Sequence, residues 1–341
     1  MSKEDRNFKN KDLDEKELEK NSKDKRDELS VEEQRELTLQ RQQELAAQER
    51  ADVVISPAKL VWQNFKSRKI TVIGMGLFAF VLFFVFIVPF FQSSPEVNSD
   101  LRYLAPSWEF WMGNDAVGRD VFARVTIGGR ISLYVGAMAT LISTIIGIII
   151  GSISGFYSGI VDNILQRFTE VVRSFPFLPL IITLSAALGT DVSEDMRIFI
   201  VMLILGLIGW TGLARLLRGQ ILSIREQEYI LAARAVGIKD FNIITKHIIP
   251  NVVSIIIVSA TLSFASNILV ESGLSFLGFG VQEPGASWGL LLRQGTSNSS
   301  VIQNQPWLWF FPGLFILLTV LSVNFIGDGL RDAIDPKNNA R

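Results

Sequence analysis

Residues 225–250 read REQEYILAARAVGIKDFNIITKHIIP, a moderately polar stretch set between two strongly apolar ones, and it carries the single histidine of the chain, His247. A chain with long apolar runs on both sides must place such a stretch outside lipid, because its charged groups would lose their hydration there. Its length exceeds what a turn needs. Ile230, Ala233, Val236 and Gly237 recur at helical spacing, followed by Phe241, Ile244 and Ile248. Ala232, Ala233 and Ala235 favour helix with almost no bulk, and Gly237 interrupts them. Lys239, Asp240 and Asn242 then open a second helical piece that Pro250 is expected to close. The pattern predicts two short amphipathic helices joined at a glycine, a knob suited to a groove in a soluble partner. A loop lying flat on the membrane surface is the plainer alternative.

Outward from this stretch the chain falls into two regimes. Of its 341 residues 48% are hydrophobic, and after Ile70 these gather into long apolar runs. Residues 1–50 hold 12 Lys or Arg, 15 Asp or Glu and a single aromatic, Phe8. Such a tail buries too little apolar area to offset its ordering entropy, so residues 1–55 are expected to be a disordered charged tail. Six spans are predicted, at about 70–91, 131–154, 175–188, 198–214, 252–270 and 307–326, within a transmembrane domain of residues 56–336. The fold class is therefore an all-α membrane protein. In the second span Gly136, Ala137, Gly147 and Gly151 lie on a spacing that permits close helix packing. The third is short, with Pro176 and Pro179 at its start.

An even number of spans puts both termini on one side. The positive charges of the short loops then orient the chain. Lys59, Lys66, Arg68, Lys69, Arg167, Arg173, six residues between Arg215 and Lys246, and Arg331, Lys337 and Arg341 stand on one side. The other has only Arg102, Arg119, Arg124, Arg130, Arg197 and Arg293. The richer side, with both termini, the 225–250 loop and the end at 337–341, is expected to be cytoplasmic.

Several chemistries are disfavoured. With no cysteine there is no disulfide framework and no thiolate nucleophile. One histidine and no clustered carboxylates in an apolar span argue against an intramembrane metal centre or hydrolase. A net charge of −1 gives no case for a nucleic-acid partner. No Gly-rich phosphate loop ending in Gly-Lys-Ser/Thr is present, so no catalytic residue is assigned. A cleaved signal peptide is not expected, since the first apolar run starts far behind a charged tail.

The 225–250 stretch resembles the signature loop of ABC importer permeases: Glu-Ala-Ala, three residues, Gly, and a hydrophobic-Pro pair. Ala232, Ala233, Gly237 and Ile249–Pro250 fill those places, whereas Leu231 stands at the glutamate position and Glu228 lies three residues earlier. Three more runs narrow the resemblance to the peptide and nickel permeases. WMGNDAVGRD contains Asp115, Gly118, Arg119 and Asp120; GLSFLGFGVQEPGASWG covers residues 273–289; NFIGDGLRDAIDP covers 324–336. From the residues alone, Gly113, Gly118, Gly128 and Gly129 read as turns, and Asp115, Arg119 and Asp120 as a small outer ion-pair network.

The chain thus looks like a C-type permease subunit of oligopeptide or dipeptide ABC importers, with the type I importer permease fold. The resemblance implies a second, B-type permease and two cytoplasmic ATP-binding subunits that use ATP and Mg2+, with no cofactor on this chain. It also implies a lipoprotein or periplasmic peptide-binding protein. Glu228, Leu231, Ala232, Ala233, Gly237, Asp240 and Pro250 would form the coupling surface. A nickel or metal-chelate permease, and less so a membrane scaffold, are the alternatives.

Polar residues inside later spans are candidates for a translocation path, chiefly Ser259, Ser263, Ser266 and Asn267, with hydrogen bonding between helices as the plain account of each. Residues 273–306 read as an outer ledge suited to docking a binding protein. Membrane-interface anchoring is the simple reading of Trp288, Trp307 and Trp309. Glu271 lies near the outer end of the fifth span.

Overall fold

The computed structural model describes residues 65–91, 96–187 and 193–334. The expectations for residues 1–55 and 337–341 lie outside these. Helix α1 (Lys69–Leu82) continues through a π-turn, Phe83–Ile87, into a 3-10 turn, Val88–Phe91. Helix α2 (Val121–Tyr157) is followed by α3 (Gly159–Ser174), α4 (Phe177–Ala187) and α5 (Glu194–Ile224). Next come α6 (Glu228–Ala235) and α7 (Asp240–Ile243), a π-turn (Ile244–Ile248), and α8 (Ile249–Leu277). Helices α9 (Trp288–Gly295), α10 (Ser299–Asn304) and α11 (Trp307–Ile334) complete the described chain. Among the described residues five helical segments are long and apolar enough to cross a bilayer: Lys69–Phe91, Val121–Tyr157, Asp195–Ile224, Asp240–Leu277 and Trp307–Ile334.

Glycine contacts fix how the long helices run. A Cβ at Gly206 would meet Ile142, one at Gly147 Leu213, one at Gly151 Leu217, and one at Gly155 Ile221. The residue numbers rise together, so α2 and α5 are parallel. The chain must therefore return between Tyr157 and Glu194, and the short α4, 11 residues, lies in that return. It is too short to count as a span by length, and Pro176 and Pro179 at its start bear on that, since proline withholds a backbone donor. Helix α8 is antiparallel to α2, with Asn267 opposite Thr140 and Ile268 against Gly136. Helix α11 is antiparallel to α1, with Thr71 against Gly329 and Phe84 stacked on Phe315.

One end of the bundle thus gathers the start of α1, the ends of α2, α5 and α11, and the 225–250 stretch. This end, labelled inner after the side the loop charges predict, has its own core, in which Phe156, Leu217, Ile221, Ile230, Ile243 and Ile248 pack together. The opposite end is built around Trp288, Val85, Val125, Leu133 and Phe315. A third cluster joins α2 and α5 through Val135, Ala139, Val201 and Leu205.

Three sequence readings are corrected here. Gly128 and Gly129 are not turns but lie inside α2, which starts at Val121; their missing side chains let Ser287 and Trp288 approach the helix. Pro250 does not close a helix. It stands at the second residue of α8 within a helical run that begins at Asp240, and the π-turn just before it accommodates the missing N–H. Trp288 is not an interface anchor: it is fully buried, its indole N–H donating to the Val125 carbonyl at 2.9 Å.

Candidate functional site

The inner-end knob is held from one side and open on the other. Helix α6 ends in a paired set of backbone bonds, Gly237 N–H to Arg234 O (2.9 Å) and Ile238 N–H to Ala233 O (3.1 Å). This closure needs a left-handed residue after the helix, and Gly237 supplies it at φ +82°. Ile230 on α6 and Ile243 and Ile248 beyond the bend are fully buried, which pins both pieces to α2 and α5. The Arg234 guanidinium lies 4.3 Å from the ring centroid of Phe156, and Arg225 donates to the Phe156 carbonyl at 3.1 Å. Asp162 of α3 receives both the Nε and Nη2 of Arg218 at 2.6 Å, and Ser154 adds its hydroxyl. These bonds make a firm seat under the knob.

The outward side carries the other predicted coupling residues. Glu228, Leu231, Ala232, Gly237, Asp240 and Pro250 are exposed, and Ala233 is half-buried. The expected apolar face is split. Val236 and Phe241 were grouped with the packing residues, yet they are 82% and 74% exposed. The bend at Gly237 rotates the second piece, so Ile243 and Ile248 take the inner positions. Leu231, 47% exposed, joins Val236 and Phe241 as apolar side chains that the knob leaves uncovered, and Glu228, Lys239 and Asp240 are exposed on the same two pieces.

At the opposite end, Asp115 and Arg119 do pair, at 2.8 Å, but Asp120 is not part of the network. Asp120 caps α2, accepting the Phe122 N–H at 2.9 Å. Its place is taken by Arg124, one turn on, and by Glu283 and Gln294 far along the chain. Arg124, nearly fully buried, donates to Asp115 at 2.8 Å and to Gln294 at 2.7 Å. Arg119 also reaches Glu283 at 2.8 Å, and Gln294 donates to the same carboxylate. Burial alone would raise the Asp115 pKa; the backbone N–H groups of Arg119 and Val117 and the two guanidiniums outweigh it and hold it below the ordinary value. Hydrogen bonding from Arg119 likewise lowers Glu283. Burial pushes Asp120 up. The network ties the loop before α2 to the ledge around α9.

A residue that sequence reasoning undervalued lies beside it. Glu271 is 0% exposed and accepts hydroxyl bonds from Ser275 (2.8 Å) and Ser272 (3.3 Å). Ser132 and Ser287 also direct their side chains at it. Three of these serines in turn accept backbone N–H groups of the ledge: Val281 on Ser275, Trp288 on Ser132 and Leu290 on Ser287. One carboxylate therefore organises the entry of the ledge. A serine every few residues around an acidic residue was the available signal.

The candidate path residues occupy part of one side of α8. Ser259 and Ser263 are half-buried and Ser266 is exposed, at helical spacing. Asn267 differs, because its amide donates to Thr140 Oγ1 at 2.9 Å and is committed to α2. Among the described residues no group of three or more His, Cys, Asp or Glu is placed to hold a metal ion.

The chain matches the model of the binding-protein-dependent transport system inner membrane component over residues 147–339, more than half its length. It belongs to that permease family. A further match, to the N-terminal TM domain of oligopeptide transport permease C, covers residues 56–106 of the permease. The oligopeptide transport system permease protein OppC of Haemophilus influenzae is 42% identical over 298 residues, 85% of this permease and 93% of that protein. The dipeptide transport system permease protein DppC of Bacillus subtilis is 38% identical, with 81% and 84% covered. OppC of Escherichia coli K12 is 41% identical, with 82% and 92% covered. Family and helices together make the permease a multi-pass inner-membrane protein of the type I importer fold, and a transport component in place of an enzyme.

Proposed function

We propose that this permease is the transmembrane subunit of an ATP-driven importer of oligopeptides or dipeptides, forming half of the translocation path. The observation that carries the coupling role is the knob at 225–250, rigidly seated through Ile230, Ile243 and Ile248 while Leu231, Val236 and Phe241 face outward. Exposed apolar side chains on a firmly held element suit a groove in a soluble partner. That partner is an ATP-binding subunit, two of which serve the complex and use ATP and Mg2+. A second, B-type permease completes the path, and a lipoprotein or periplasmic binding protein delivers cargo to the ledge. Both termini and the knob lie in the cytoplasm, as the loop charges favour.

The peptide cargo is supported by the names of the relatives, and no observation favours nickel over it. Ser259, Ser263 and Ser266 offer a polar side to a peptide backbone, while Asn267 holds α8 against α2. Two experiments test the reading. A photocrosslinker at Leu231, Val236 or Phe241 in the assembled complex captures the ATP-binding subunit. Proteoliposomes holding all subunits and ATP take up labelled tri- to pentapeptides and not radiolabelled nickel. Capture of only lipid at the knob, or nickel uptake without peptide uptake, refutes the corresponding half.

A further inference from the structure

Helices α1, α2, α5 and α8 enclose a groove of about 770 Å3. Its walls are apolar and strongly aromatic, with Phe78, Phe86, Tyr134, Phe199 and Phe264 among them. Its two charged lining residues, Arg130 and Asp195, stand toward the outer ends of α2 and α5. With 37 residues, α2 is about 55 Å long, well beyond the roughly 30 Å of hydrocarbon, and the charged Asp120 and Arg124 place its first turns in the part that stands clear of the apolar layer. Arg130 lies about 13 Å from the start of α2, at the level where lipid headgroups meet that layer. From there the groove descends about 10 Å, to Ala137 on α2 and Met202 on α5.

Arg130 is fixed in place. Pro89 has no N–H to offer the carbonyl four residues before it, and Arg130 Nε donates to that Val85 carbonyl at 3.0 Å. Its Nη2 reaches the Phe86 carbonyl at 3.4 Å. A guanidinium has five N–H donors, so donors remain. Among the described residues no carboxylate pairs with Arg130 and no cation pairs with Asp195. The rim of an apolar groove at headgroup depth therefore carries one fixed positive and one negative group, each without an ionic partner among the described residues.

We propose that the groove is a binding site for a single amine-bearing zwitterionic phospholipid, with an acyl chain along Phe78, Tyr134 and Phe199, its phosphate at Arg130 and its ammonium at Asp195. The rim carries both signs of charge, as such a headgroup does, whereas a purely anionic lipid would leave Asp195 facing like charge. This site depends on the helices spanning a bilayer and is independent of the cargo.

The test uses the complete importer in nanodiscs containing phosphatidylethanolamine with a photoactivatable acyl chain, the label being mapped by mass spectrometry. Labelling at Phe78, Tyr134 and Phe199 is expected to exceed that at Ile145 and Ile149, exposed elsewhere on α2, by about fivefold or more. Asp195→Asn should lower the yield severalfold. Ala137→Phe, which fills the groove from an exposed position, should nearly abolish it while peptide-stimulated ATP hydrolysis persists. Even labelling along α2 overturns the site, equal yield from a phosphatidylglycerol probe overturns the amine, and a crosslink from position 134 to the second permease replaces lipid by protein. Peptide uptake, measured in parallel, reports separately on the transport reading.

Discussion

Gly237→Ala separates the conformational demand of the knob from its sterics. A Cβ at this position would meet nothing within 4 Å, so no clash accompanies the change. The backbone, however, sits at φ +82°, where an L-side chain costs about 1–2 kcal/mol. The chain can relieve that cost only by unseating one piece of the knob, because Ile230 on one side and Ile243 and Ile248 on the other hold the bend against the inner core. If docking of the ATP-binding subunit requires the bent knob, 1–2 kcal/mol lowers the ratio of seated to unseated knobs about 5- to 30-fold, which sets the upper limit on the loss of affinity. The assay is the affinity of ATP-binding subunits for the permease pair in nanodiscs. Gly237→Ala should weaken it by up to that factor, and Gly237→Asn by less, since asparagine tolerates the left-handed region better. Thermal stability of the transmembrane bundle should hardly move. Wild-type affinity for the alanine variant, or a larger loss for asparagine than for alanine, refutes the reasoning.

Other expectations follow from the same structure. Glu271→Ala strands buried serine hydroxyls, each worth about 1–3 kcal/mol when unpaired, and should lower the melting temperature of the complex and loosen the ledge in hydrogen exchange; Glu271→Gln should do less harm. Arg218→Ala leaves Asp162 largely buried without its partner and should destabilise by about 2–3 kcal/mol, given the partial exposure of the arginine, whereas the joint change to leucine at both positions should recover part of that by calorimetry. The outer network carries lowered carboxylate pKa values, so its stabilisation is complete above the ordinary carboxylate range. It should be lost as pH falls below about 4.5 for Glu283 and 3.8 for Asp115, read as release of the ledge in a pH series of hydrogen exchange, and Glu283→Gln should flatten that profile.

Much of this molecule is written locally and some of it is not. Apolar runs declare the long helices because hydrocarbon admits few alternatives. The bend at Gly237 is legible because one residue type serves it. Which face of the knob turns inward was not legible, since Val236 and Phe241 follow the helical period until the bend resets it. The Asp115–Arg119 pair could be seen within one turn, but Glu283 joins Arg119 from 164 residues away and Gln294 joins Arg124 from 170, and such proximity is a property of helix packing. Asp120 was misassigned because a carboxylate before a helix serves equally as ion-pair partner or cap. The role of Glu271 was only half legible: Ser272 and Ser275 flank it in sequence, but Ser132 and Ser287 reach it from α2 and the ledge, and only their convergence reveals the hub.

The helical run Asp240–Leu277 joins the second piece of the knob to the fifth predicted span in one body of 38 residues, about 57 Å long. It is a lever. A tilt of about 5° about its inner end carries its far end through about 5 Å, simply from that length. Glu271 and the backbone it organises ride on that far end, and Ser259, Ser263 and Ser266 ride between. A push at the inner tip is therefore geared to the outer ledge, and any account of opening must move both ends together.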